Sequence, residues 1–151
     1  MFSYRHAFHA GNHADVLKHT TLIALMKYLT QKDTALTVID THAGAGLYRL
    51  DGDYTETSGE ANEGVFKLLS EPNPPVAQAG RAQAAAKNVA PEALSPALQD
   101  YVDVLKALNP QFAATGEAAH LKIYPGSPFI EQQFLSGRDK LKLFELHPTD
   151  F

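Results

Sequence analysis

Apolar and semi-polar positions recur at helical spacing early in the chain, where Val16, Leu17, Thr20, Ile23, Ala24, Leu25 and Tyr28 trace one broad stripe. The spacing predicts a helix over about Ala14–Thr30, entered from Asn12 or His13. The period then changes. After a turn at Gln31–Thr34, the β-branched run Ala35–Asp40 predicts a strand, followed directly by the bend Asp40-Thr-His-Ala-Gly-Ala-Gly46. A strand running into an acid and a glycine-rich bend is how doubly wound α/β sheets open a nucleotide site. Gly44 and Gly46 lack Cβ atoms, so the backbone there can take positive φ and admit a ligand closely.

Beyond the bend the simple strand–helix–strand plan lapses. Leu47–Ser58 reads as polar and turn-like, with Asp51-Gly52, and a short helix is expected at Gly59–Leu69. Residues 71–97 are rich in Ala and Pro, with an alanine helix near Gln78–Val89 bounded by Pro72, Pro74, Pro75 and Pro91. Ser95-Pro96 reads as an N-cap and first-turn proline, opening an amphipathic helix (Leu98, Tyr101, Val102, Leu105, Leu108) that stops at Asn109-Pro110. A short strand is predicted at Leu121–Tyr124. Ser127 should then cap a helix that Pro128 starts, running through Leu135 and stopped by Gly137. Lys140–Leu146 completes the pattern as a strand bearing Glu145 near its end. The fold class expected is α/β, a Rossmann-like sheet left incomplete, divided as 1–48 (first helix, first strand and glycine loop), 49–119 (helical insertion) and 120–151 (return to the sheet).

Composition narrows the function classes. The 151 residues are 44% hydrophobic and 20% charged, ordinary values for a globular domain. No run approaches the ~20 apolar residues of a membrane span, and Met-Phe-Ser-Tyr-Arg-His lacks the plan of a secretory signal. Cysteine is absent, which excludes disulfides and thiolate metal sites and fits a cytoplasmic location. Charge is uneven: residues 1–32 hold four basic groups against Asp15, net +3, while residues 33–151 hold nine basic and sixteen acidic groups, net −7. A polyanion would therefore meet the N-terminal segment first.

The glycine bend has several possible owners. It lacks the Lys-Ser/Thr ending of a P-loop, and Arg49 stands where a dinucleotide fingerprint needs its third glycine. An acid closing the first strand, with Glu145 placed near the end of a later strand to accept from ribose hydroxyls, better suits S-adenosylmethionine. The plainer reading leaves Gly44 and Gly46 merely turning the chain and Asp40 merely capping it. The N-terminal histidines His6, His9, His13 and His19 raise a metal site, but Gly11 opposes a helical ligand pair and no carboxylate set accompanies them. No metal is expected; a polar lid over a ligand is the alternative.

Tyr4-Arg5-His6, His9-Ala-Gly-Asn-His-Ala-Asp-Val-Leu-Lys-His19, Asp40 to Gly46, Tyr124-Pro-Gly-Ser-Pro128 and Glu145-Leu-His-Pro148, taken together, resemble the RlmJ family. That family methylates N6 of an adenine in bacterial 23S ribosomal RNA with S-adenosylmethionine. The likeness is close over residues 1–48 and 120–151 and loose between. It implies cofactor contacts from Lys18, His19, His42, Gly44, Gly46, Ser127 and Glu145, and RNA contact at Tyr4 with Arg5 and His6 beside it. Read without the resemblance, His19 could be a buried, satisfied histidine and Tyr4 an interfacial core residue.

The catalytic residue stays unassigned. Amino-methyltransferases use an Asp/Asn/Ser-Pro-Pro-aromatic loop to hold the acceptor amine, and Asn73-Pro-Pro-Val76 lacks the stacking ring and a preceding strand. The family's Asp-Pro-Pro-Tyr loop would lie beyond Phe151, so the chain is expected to be an N-terminal portion, monomeric and inactive alone. A DNA adenine methyltransferase and a non-catalytic cofactor- or RNA-binding module are the rival readings. All of these require His42 and Glu145 to border one pocket.

Overall fold

The computed structural model describes residues 5–52, 57–70 and 94–147. Tyr4, Asn73–Val76 and the alanine segment Gln78–Val89 lie outside them. After a 3-10 turn at His6–Phe8, helix α1 spans His13–Leu29. Strand β1 is Thr37–Asp40 and β2 is Leu47–Arg49. Helices α2 (Glu60–Glu63), α3 (Val65–Ser70), α4 (Pro96–Leu108) and α5 (Pro110–Thr115) follow. Strand β3 (Ile123–Pro125), helix α6 (Ser127–Phe134) and strand β4 (Lys140–Leu143) complete a mixed α/β chain.

The strands make two separate pairs. β1 lies parallel to β4, with Thr37 opposite Lys140 and Asp40 opposite Leu143. β2 lies antiparallel to β3, with Tyr48 opposite Tyr124. The segment Leu47–Arg49, expected as a turn, is thus a strand. It is too short for its alternation to stand out beside the glycines before it and Asp51-Gly52 after it. Backbone bonds continue this ladder at both ends, from Gly126 N–H to the Gly46 carbonyl at 2.7 Å and from Leu50 N–H to the Lys122 carbonyl at 2.8 Å.

Helix α1 departs from its predicted face. Asn12 caps it, accepting from Asp15 N–H at 2.9 Å. Its buried positions are Asp15, His19, Ile23 and Met26, spaced four, four and three apart as a helical face requires. Leu17 and Tyr28, from the expected stripe, are 70% and 63% exposed. The true inner face is polar over its first two turns, and hydrophobicity alone cannot register that.

Helix α1 packs against α4 and α6, and α4 packs on β3. Ile23, Tyr101, Leu105, Phe112, Leu121, Tyr124 and Ile130 are the large, almost fully buried side chains of the core. The expected helix at Gly59–Leu69 is broken at Gly64, whose Cβ would fall 2.2 Å from the Gly11 carbonyl oxygen. Only glycine allows that approach, and Val65 N–H bonds the same carbonyl at 2.8 Å.

One buried side chain ties α4 to β3. Asn109 ends α4, its amide donating to the carbonyls of Leu105 (2.9 Å) and Ile123 (2.8 Å). Its oxygen accepts from the N–H groups of Lys122 (3.0 Å) and Ile123 (2.9 Å). Neither Asp nor Leu can do both jobs. We expect Asn109→Ala to lower stability by roughly 2–4 kcal/mol, because one buried and three part-buried backbone groups lose their partners. Urea denaturation measures this, and a loss within the range of ordinary surface substitutions would contradict it.

Candidate functional site

The glycine bend is built from its own hydrogen bonds. Asp40 Oδ1 accepts from His42 N–H at 2.9 Å, turning the chain at the end of β1. Gly44 takes φ 61°, and a Cβ there would lie 2.3 Å from the Tyr48 hydroxyl oxygen. That hydroxyl accepts from Ala45 N–H at 3.1 Å. Gly46 also has positive φ (77°), with open space where its Cβ would stand.

Across from the bend, the chain leaving β4 continues the parallel pairing, with Phe144 N–H donating to the Asp40 carbonyl and Ala43 N–H to the Phe144 carbonyl. Glu145 lies two residues past the strand rather than within it. Its Oε2 accepts from Gly44 N–H at 2.8 Å and its Oε1 from His147 N–H at 2.6 Å. Backbone donors at His147 and Gly44 hold its carboxyl below the usual range, so it stays ionised.

Ser127 opens α6 without capping it: Gly126 is the N-cap, and no side chain caps this end. The expected cap fails because the Ser127 hydroxyl instead donates to Asp40 Oδ2 at 2.6 Å. This bond fastens the start of α6 to the end of β1.

These elements enclose a cavity of about 290 Å³. His6, Lys18, His19, His42, Gly44, Ser127 and Glu145 line it, together with Ala43, Tyr48, Gly126 and His147. His42 and Glu145 thus border one hollow. Gly46 contributes its backbone to the wall through Gly126 rather than lining it. Arg5 is half-buried and is not among the lining residues, and Tyr4 lies outside the described residues. A second, more apolar hollow of about 490 Å³ adjoins the first, sharing Ala43, Gly44 and Glu145 and adding Ala45, Leu143, Phe144 and Leu146.

Asp15 organises the wall from α1. It is fully buried, and its Oδ2 meets His6 Nε2 at 2.9 Å and Gly11 N–H at 3.1 Å. Its Oδ1 pairs with Lys18 Nζ at 2.8 Å. Burial pushes its pKa up, but the bonds from His6 and Lys18 outweigh that and bring it down to about 2. His19 is lowered to about 4, chiefly by burial, against the pull of Asp15. Glu131, on α6 and buried, is raised to about 7 by burial and by the charge of Asp40.

Sequence reasoning passed over Asp15, Tyr48 and His147 as site residues. Asp15 had a signal: an acid in the first helical turn, three residues before Lys18. Tyr48 has none, because its three-residue strand carries too little pattern to show in the sequence. Among the described residues no group of three or more His, Cys, Asp or Glu side chains is arranged to hold a metal. No described helix is long and apolar enough to cross a membrane.

Two buried groups whose shifts fall between pH 4 and 7, His19 and Glu131, pull stability in opposite directions. His19 is neutral in the folded chain while the unfolded chain protonates it near its ordinary value of 6.5, so stability is lost as pH falls from 6.5 towards 4. Glu131 keeps its proton to about 7 when folded and ordinarily loses it near 4.5, so stability is lost as pH rises between them. Each slope is worth on the order of 3 kcal/mol over its window. We expect a shallow profile between pH 4.5 and 6.5. His19→Gln should leave stability falling with rising pH, and Glu131→Gln should leave it rising. Thermal melts across that range check this; variants that keep the parent's slope would contradict it.

The chain resembles known proteins along its whole length. The family model described as "Ribosomal RNA large subunit methyltransferase D, RlmJ" matches residues 33–151. The chain is 38% identical over all 151 residues to ribosomal RNA large subunit methyltransferase J of Escherichia coli and 36% identical to that of Haemophilus influenzae. It spans 44% of the length of each. A crystal structure of a protein from Legionella pneumophila aligns with TM-score 0.67 at 33% identity, covering 93% of this chain and 42% of that one. With the family model matching well over half its residues, the chain belongs to the RlmJ family of ribosomal RNA large subunit methyltransferases.

Proposed function

We propose that the cavity binds S-adenosylmethionine and serves methyl transfer to N6 of an adenine in 23S ribosomal RNA. The observation that carries this reading is the position of Glu145. An ionised carboxylate, held by two backbone N–H groups, stands where a polar cavity and an apolar hollow meet. A nucleoside needs that combination: a carboxylate for its ribose hydroxyls and apolar walls for its flat base. Each Glu145 oxygen accepts one described backbone bond, and a carboxylate oxygen can accept more than one.

The other residues fit the remaining parts of the molecule. Ala43, Ala45, Leu143 and Phe144 supply the apolar walls for adenine. Lys18 and His19 approach from α1, suited to the amino-acid carboxylate. The turn at His42–Gly46 and the Ser127 end of α6 close the cavity from the strand side, fixed to each other through Asp40. When bound, the cofactor supplies an electrophilic methyl on sulfur; the protein's part is to orient it and exclude water.

Tyr4, Arg5 and His6 are assigned to the RNA. His6 at the cavity wall, with the net positive charge of residues 1–32, supports an anionic strand arriving from that side. The wider assignment is a class I, Rossmann-like methyltransferase sheet, with residues 49–119 as a helical unit set between its strands. The proposed site of action is the cytoplasm.

Isothermal titration of the chain with S-adenosylhomocysteine tests the cofactor reading. We expect saturable binding that Glu145→Ala weakens by about tenfold or more, the worth of one or two hydrogen bonds to a charged group. No binding by a folded chain, or equal binding by the variant, would overturn it.

A further inference from the structure

Three polar rings stand in a row between the core and the cavity. The Tyr101 hydroxyl lies 3.1 Å from the Tyr124 hydroxyl, which lies 3.0 Å from His19 Nδ1. Tyr101 and Tyr124 are fully buried, and His19 is 4% exposed at the cavity wall. The row joins α4, β3 and α1, the elements of the central core.

Counting protons fixes its direction. Two hydroxyl protons serve two gaps, and Tyr124 is the sole hydrogen-bond partner of the Tyr101 hydroxyl among the described residues. If Tyr124 donated towards Tyr101, the Tyr101 proton would be buried with no acceptor among the described residues, a state disfavoured by about tenfold or more. With Tyr101 donating to Tyr124, and Tyr124 to His19, both gaps are filled and no proton is stranded. Nδ1 must then be the lone-pair nitrogen. Burial keeps this imidazole neutral near pH 7, so its one proton sits on Nε2.

We infer that Tyr124, at the cavity end of a directional relay in which Tyr101 donates to it, locks His19 as the Nε2–H tautomer, so that His19 offers the cavity a hydrogen-bond donor. The inference rests on the cofactor reading for its ligand: the group met by His19 is an acceptor oxygen, placed beside Lys18 where a carboxylate belongs. Tyr124 and Tyr101 are positioning residues, acting through His19 and touching no ligand themselves. A histidine free to exchange tautomers would present a lone pair part of the time and repel that oxygen.

Long-range proton–nitrogen NMR on the histidine-labelled chain, with His19 assigned by the signal lost in His19→Gln, reads the tautomer directly. In the unsubstituted chain we expect Nδ1 bare and Nε2 protonated. Tyr124→Phe should give a mixture of tautomers and weaken S-adenosylhomocysteine about three- to tenfold, the worth of one hydrogen bond. Tyr101→Phe should keep the tautomer, since Tyr124 can still donate, and weaken binding less. A protonated Nδ1 in the unsubstituted chain overturns the relay, as does an unchanged tautomer in Tyr124→Phe. A shifted tautomer with unchanged affinity overturns its link to the ligand. The expected tautomer in a chain that binds no cofactor overturns the reading of the cavity and leaves the relay standing.

Discussion

The parallel pairing of β1 with β4 is the constraint on which the site depends. Asp40 and Leu143 face each other across it, and the pairing runs on past both strand ends through Phe144 and Ala43. A side chain adds a bond just past it: Glu145 Oε2 accepts from the Gly44 N–H. A glycine turn and a carboxylate 101 residues apart are thereby set against each other. Without the strand register neither would have a reason to be near the other.

The second constraint is a buried polar seam through what would otherwise be hydrocarbon. Asp15, His19, Tyr124 and Tyr101 are all removed from solvent, and all but His19 completely. Burying such groups costs free energy unless their bonds are met. Here the three rings bond one another, while Asp15 Oδ2 is met by His6 and Gly11 and Oδ1 by its ion pair with Lys18. The seam ends at the cavity, so groups that are awkward for the core are well placed for a ligand. Its two tyrosines share the core cluster with Ile23, Leu105 and Ile130.

Much of the framework was legible in the sequence because it follows from short-range chemistry. The α1 boundaries came from periodicity and the Asn12 cap, and α4 from Ser95-Pro96 and its stripe. The glycine bend announced itself through residue types that tolerate positive φ. What stayed hidden depended on partners far along the chain. β2 exists because Tyr124 and its neighbours pair with it, and three residues carry too little pattern to reveal that. Ser127 has the composition of a cap but bonds Asp40, a choice made by tertiary contact. The inner face of α1 is polar at Asp15 and His19, so hydrophobicity misassigned it towards Leu17. Glu145 was legible as a residue of interest, yet its place beyond β4 rather than inside it was not.

The central claim is that the walls met by Glu145, the glycine bend and the start of α6 form one adenosyl-cofactor site. Backbone amide NMR of the labelled chain, titrated with S-adenosylhomocysteine, tests this most directly. The account requires the largest shifts to fall together on His42–Gly46, on Ser127 and on Glu145–His147, saturating along a single curve. Shifts confined to α4, α5 or the outer face of α1, with those three segments unmoved, would contradict it.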